Sequence, residues 1–166
     1  MDFALWLEHT GFSTWVRESP RIFAFPSVLL LHTVGMALCV AVSAGINFRL
    51  LGFAPSLRLS PLARLFPILW LGFWMNAITG TMLVMQDASN KLFNIDFYLK
   101  MVFIALAIWA LRTIRKRVFL NPQIDKAPLD SNIKVLAGLS LFFWIGAITC
   151  GRLLAYVGPF VTPDNG

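Results

Sequence analysis

The chain has 166 residues, of which 58% are hydrophobic and only 13% charged. A soluble domain carries roughly twice that charged fraction, so the composition excludes an ordinary water-soluble fold and points to an integral membrane protein. The net charge of +6 does not imply nucleic acid, because the basic residues gather at the ends of apolar runs, where they act as topology signals.

Residues 1–19 come first. Phe3, Leu5, Trp6, Phe12, Trp15 and Val16 are mixed there with Asp2, Glu8, Arg17 and Glu18, and Pro20 and Pro26 follow. The mixture predicts a short interfacial helix lying on the membrane surface, with His9 on its wetted side. It does not read as a signal peptide, because acidic residues stand where a positive n-region belongs and the apolar run is short.

Residues 20–166 form the second unit, a four-helix transmembrane domain. Its apolar runs lie at about 25–51, 65–85, 97–113 or slightly beyond, and 133–157. Each is close to the ~20 residues that a helix needs to cross ~30 Å of hydrocarbon. None shows the alternation of barrel strands, so helices are the spanning structure. The fold class is therefore all-α: a polytopic membrane protein built as a four-helix bundle behind a short interfacial helix. The connections at 52–64, 86–96 and 121–132 leave no room for a further domain. Cys39 and Cys150 fall in different runs at different depths, which argues against a disulfide.

Orientation follows from the basic residues. Arg49, Arg58 and Arg64 flank the first connection, and Arg112, Arg115, Lys116, Arg117, Lys126 and Lys134 flank the third. The other side has Arg17, Arg21 and Lys91. The bias places both basic connections in the cytoplasm and both termini outside.

With that orientation each run contributes a polar group to the outer half. Counted inward at ~1.5 Å per residue, His32 lies about 10 Å deep, Lys100 about 5 Å, Arg152 about 8 Å and Asn76 about 14 Å. His32, Gly35, Cys39 and Ser43 share one helical face, as do Gly72, Asn76, Thr79 and Gly80, and as do Thr149, Arg152 and Tyr156. Small residues permit close helix approach, and polar ones avoid lipid by facing the bundle. The simplest expectation is a site between the helices, open to the outside. Lys100 and Arg152 have a competing role as snorkelling cations, and Asn76 and Thr79 as bonds between helices. His32 is too short to snorkel, which leaves either a structural hydrogen bond or a ligand role. Tryptophan, tyrosine and phenylalanine near the span ends read as interface anchors.

Haem b is the cofactor that this set of residues best accommodates. His32 would be the axial ligand and the metal-binding residue, Gly35 would let a porphyrin approach the helix, and Lys100 and Arg152 would meet the propionates. Asn76, Thr79 and Gly80 would complete the lining. A single intramembrane histidine cannot build a bis-histidine site. There is no HxxxH, CxxC or carboxylate cluster inside the spans, so a non-haem metal centre lacks ligands. Transport lacks acidic residues within the spans and paired broken helices, and neither a catalytic triad nor a nucleotide-binding loop is present.

The segments FAFPSVLLLHTVGMAL, NFRLLG, AITGTMLVM, FYLKMVFIALA and SLFFWIGAITCGRLLAY together resemble an uncharacterised family of small four-helix bacterial inner-membrane proteins, a domain of unknown function. The resemblance covers nearly the whole chain after about residue 14. It implies that His32, Gly35, Arg49, Gly80, Lys100 and Arg152 occupy signature positions. Asn47 departs from the pattern, which has aspartate there and so an ion pair with the arginine two residues on. A first-helix histidine, an arginine–leucine pair at that helix's cytoplasmic end and a lysine early in a later helix are also similar to the membrane-bound, haem-containing type of protoporphyrinogen oxidase. That similarity implies haem b at His32 and Lys100.

Two readings follow. One is an electron-transfer protein that binds haem b in an outward-facing intramembrane pocket, as a subunit or partner of a membrane or periplasmic redox complex. The other is a non-catalytic accessory or anchor subunit in which the buried polar groups only fix helix packing. A third, an enzyme acting on porphyrin or another lipophilic substrate, needs Lys100 for turnover. The lipid bilayer is the one partner common to all of them. Phe- and Leu-rich faces suit lipid, another subunit or a second copy equally well.

Overall fold

The computed structural model describes residues 24–86, 88–92, 94–121, 124–125 and 129–156. The interfacial helix expected over residues 1–19, and His9 with it, lies outside the described residues. Helix α1 runs Ala24–Leu51. A 3-10 turn at Ser60–Leu65 leads into α2 at Phe66–Gln86, and the short α3 spans Ala88–Leu92. Helix α4 runs Ile95–Ile114 and continues as one π-helical turn, Arg115–Phe119, before α5 at Ser131–Tyr156. Four helical stretches are long and apolar enough to cross a membrane: Phe25–Leu51, Ser60–Gln86, Ile95–Phe119 and Ser131–Leu154. The all-α four-helix expectation is met. The connection over residues 86–96 carries the short α3.

Local chemistry sets where these helices begin and end. Pro26 and Pro67 fall in first turns, where a missing backbone N–H costs nothing. Helix α1 stops in a Schellman motif. The Phe53 N–H donates to the Phe48 carbonyl (3.0 Å) and the Gly52 N–H to the Arg49 carbonyl (3.2 Å). Gly52 takes the positive φ of 105° that this ending requires. The Phe48 and Phe53 rings close over the motif edge to face at 5.5 Å. Arg49 then holds the following turn by donating to the Leu57 and Pro55 carbonyls. Helix α4 starts at buried Asn94, whose side chain accepts from the Asp96 N–H at 2.9 Å.

The helices pack as two pairs, α1 along α2 and α4 along α5, joined chiefly through α1 and α5. The α1–α2 contact is backbone on backbone. A Cβ added at Gly35 would lie 2.8 Å from the Asn76 nitrogen and 2.9 Å from the Gly72 carbonyl oxygen. One added at Gly72 would lie 2.8 Å from both the Cys39 nitrogen and the Gly35 carbonyl oxygen. In the other pair, the Phe103 ring covers Gly146, where an added Cβ would meet it at 2.9 Å. Buried Ala107, Ala110, Ala137 and Ala147 keep α4 and α5 close. At the basic end α2 meets α4 through side chains. The Arg112 guanidinium lies over the Trp70 ring at 5.2 Å and Arg115 over Phe66 at 5.3 Å. Phe119 packs edge to face on Phe66 at 5.1 Å. Large apolar side chains such as Leu30, Leu71 and Ile145 stay 63, 64 and 63% exposed, which suits a hydrocarbon surrounding far better than water.

The two basic connections are tied to each other. The Asp125 carboxylate accepts from the Leu59 N–H at 2.8 Å and the Ser60 N–H at 3.2 Å, so it caps the 3-10 turn from the far side of the chain. The Ser60 hydroxyl chiefly, with these two N–H groups and nearby Arg58, holds its carboxyl below the usual value against the opposing effect of desolvation.

Two outcomes follow. Gly72→Val forces α1 and α2 apart and lowers thermal stability in detergent by about 1–3 kcal/mol, whereas Gly138→Ala, where an added Cβ meets nothing within 4 Å, causes no loss. For Asp125 the depressed folded-state value means that its contribution is complete above the unfolded value of about 4 and is lost as pH falls through the lowered one. Asp125→Asn therefore removes the steepest acid part of a stability–pH profile. An unchanged profile below about pH 4 would contradict the cap.

Candidate functional site

Of the outer-half residues that the sequence singles out, those on α1 and α2 converge on the seam between these two helices. Gly35 and Gly72 bring the two backbones together, and one turn outward the His32 ring turns onto α2. Its Nδ1 lies 3.1 Å from the Asn76 carbonyl oxygen and 3.1 Å from Thr79 Oγ1. The Thr79 hydroxyl donates its own proton to the Met75 carbonyl at 2.7 Å. Both neighbours of Nδ1 are therefore acceptors, which assigns the ring proton to Nδ1 and the lone pair to Nε2. Asn76 Nδ2 donates to the His32 carbonyl at 2.8 Å and reaches Nε2 at only 3.5 Å. Gly80 makes space for the ring, since an added Cβ there would lie 3.1 Å from Cε1. His32, Asn76, Thr79 and Gly80 form one joint.

Lys100 and Arg152 part company. Lys100 is half-buried and lies across α5 at Gly151, where an added Cβ would be 3.5 Å from both Cε and Nζ. Lys91 folds back to donate to the Leu83 carbonyl near the end of α2. Arg152 is exposed on the surface of α5, and so is Thr149, whose hydroxyl donates to the Ile145 carbonyl of its own helix. The face proposed for Thr149 and Arg152 thus points out of the bundle, and Cys150 and Gly151 face inward instead. Cys39 and Cys150 are both buried free thiols.

The fit to haem can be tested on these observations. His32 suits an axial ligand: Nδ1–H is held by a carbonyl, the arrangement that orients a metal-bound imidazole and leaves Nε2 to coordinate. Gly35 does not suit porphyrin approach, because its open side is filled by the backbone of α2 at Gly72 and Asn76. Among the described residues no group of three or more His, Cys, Asp and Glu side chains could hold a metal ion.

A second polar group lies nearer the basic end, where Ser43 and Asn47 of α1 meet Ser140 and Trp144, two residues that the sequence alone does not single out. Asn47 Nδ2 donates to Ser140 Oγ at 2.9 Å and approaches Ser43 Oγ at 3.4 Å, while Trp144 Nε1 donates to Ser43 Oγ at 2.8 Å. Ser43, Asn47 and Ser140 are fully buried, and Trp144 nearly so. Trp144 is thus a packed hydrogen-bond donor between helices. The signal was present as uncharged polar residues four apart on two spans, Ser43 with Asn47 and Ser140 with Trp144. Only the pairing of α1 with α5 brings them together.

Comparison with family models, with curated proteins and with solved structures returned no match.

A double-mutant cycle of His32→Ala and Thr79→Val, read by thermal unfolding in detergent, is expected to give a coupling of about 0.6 kcal/mol and at most about 1.7 kcal/mol, the range of hydrogen bonds between membrane helices. Strict additivity would mean that the ring is not bonded to Thr79.

Proposed function

We propose that this protein is a multi-pass inner-membrane protein, with both termini periplasmic, that serves as an accessory or anchor subunit of a membrane complex and carries no catalytic centre of its own. One observation supports this above the others. The ionisable residue that most needed a functional reason, His32, is committed to a helix joint with Asn76, Thr79 and Gly80. A histidine so engaged avoids lipid without any ligand. The topology rests on the Arg and Lys bias of the two basic connections. The subunit role draws on the broad apolar surfaces of α1, α2 and α5, which can receive a neighbouring subunit as readily as lipid.

A second reading keeps haem b, and the assignment of the ring proton to Nδ1 favours it. With Nε2 left as the lone-pair nitrogen, His32 could ligate the iron, and Lys100 could meet a propionate. The group would then supply one-electron transfer to a membrane or periplasmic redox partner, or to a second copy of the chain. The porphyrin would have to lie away from the Gly35 face.

Purification in mild detergent from its native membrane separates the two. The accessory reading expects a colourless protein that co-purifies in fixed stoichiometry with a larger complex, and His32→Ala that lowers its thermal stability without altering absorption. A Soret band that disappears in His32→Ala overturns it in favour of haem. A protein that is only ever monomeric overturns the subunit role.

A further inference from the structure

We propose that the inner half of the bundle holds a water molecule, bound between α1 and α5 by the side-chain amide of Asn47 and the hydroxyls of Ser43 and Ser140. The starting observation is Asn47 Oδ1, a fully buried acceptor with no hydrogen-bond partner. The groups around it already bond to one another through other atoms. Nδ2 donates to Ser140 Oγ at 2.9 Å and approaches Ser43 Oγ at 3.4 Å, and the Trp144 indole holds Ser43 Oγ at 2.8 Å. Both serine oxygens act as acceptors in this arrangement, so their own O–H protons remain to be donated. The cluster thus has surplus donors on the serines and a surplus acceptor on the amide.

Turning the amide end for end does not remove the imbalance. Oδ1 would then accept from the serine hydroxyls, and the NH2 group would be left with nothing to donate to. A buried amide end without a partner is costly anywhere and costlier in the middle of a membrane, where bulk water cannot reach it. Water is both donor and acceptor, so one molecule completes the set in either amide orientation, accepting from a serine hydroxyl and donating to Oδ1 or the converse. Two or more polar partners are what an internal water requires. Lipid cannot substitute, because Ser43, Asn47 and Ser140 are all 0% exposed. The water would belong to the only side-chain hydrogen-bond cluster that joins the two helix pairs inside the bundle among the described residues.

A crystal structure of the full chain in a lipidic mesophase, at a resolution that orders solvent, tests this directly. The expected result is a density peak within hydrogen-bond distance of the Asn47 amide and of at least one serine hydroxyl. A clear map with no peak there overturns the proposal, and so does an Asn47 side chain rotated so that both ends bond to protein. In solution, the Asn47 side-chain amide, identified by its loss in Asn47→Leu, is expected to show a direct cross-relaxation peak to water that survives Ser43→Ala. Its absence in a protein with an intact Trp144 indole signal also overturns the proposal. The wild-type measurements decide the matter even if Asn47→Leu fails to fold.

Discussion

In a bilayer the surrounding chains are as apolar as the helices, so hydrophobicity does not hold one helix against another. Close van der Waals packing and hydrogen bonds between helices must supply the specificity. The contact of Gly35 with Gly72 meets that need at its limit, since each glycine presents its backbone where any side chain would collide. The outer-half joint depends on this contact. Only when the backbones meet there does His32 reach the Asn76 carbonyl and Thr79, and Asn76 reach the His32 carbonyl.

Helix α1 is the common member of both polar groups. Its outer half is bonded to α2 and its inner half to α5, through His32 in one case and Ser43 with Asn47 in the other. The faces differ because successive residues of a helix advance by a fixed rotation, so a stripe that starts on one neighbour drifts toward the next. Helices α4 and α5 use a different device, a Phe103 ring laid on Gly146 and alanines in between. Where α2 and α4 meet at the basic end, arginines stacked on aromatic rings do the joining. The same arginines that set orientation thus also pack, which a charge count alone does not reveal.

Much of this was legible in one dimension. The four spans follow from hydropathy and length, and the positions of Pro26, Pro67 and Gly52 mark where helices start or stop. The stripe Gly72–Asn76–Thr79–Gly80 faces a neighbour as its spacing predicts, whereas the stripe His32–Gly35–Cys39–Ser43 is divided, its first three members packed on α2 and Ser43 on α5. The reading failed where the choice of neighbour mattered. Gly35 suggested room for a flat cofactor, but the room is taken by α2. Arg152 and Thr149 shared a face, but that face looks outward. Trp144 stands mid-span, and only the pairing of α1 with α5 buries its indole against Ser43. Periodicity assigns residues to faces and is silent on which face meets which helix.

The sequence by itself determined the class of the protein, the number and limits of its spanning helices, the sidedness of its charges and the need for His32 to have a partner. These are properties of composition, length and local backbone chemistry, and the bilayer enforces them without reference to any other helix. Tertiary structure alone decided that the partner is α2, that Lys100 crosses α5 while Arg152 leaves it, and that Asn47 is buried among serines with one acceptor to spare. Those outcomes depend on which helices are adjacent and how closely their small residues let them approach, and four similar apolar segments do not encode that one at a time.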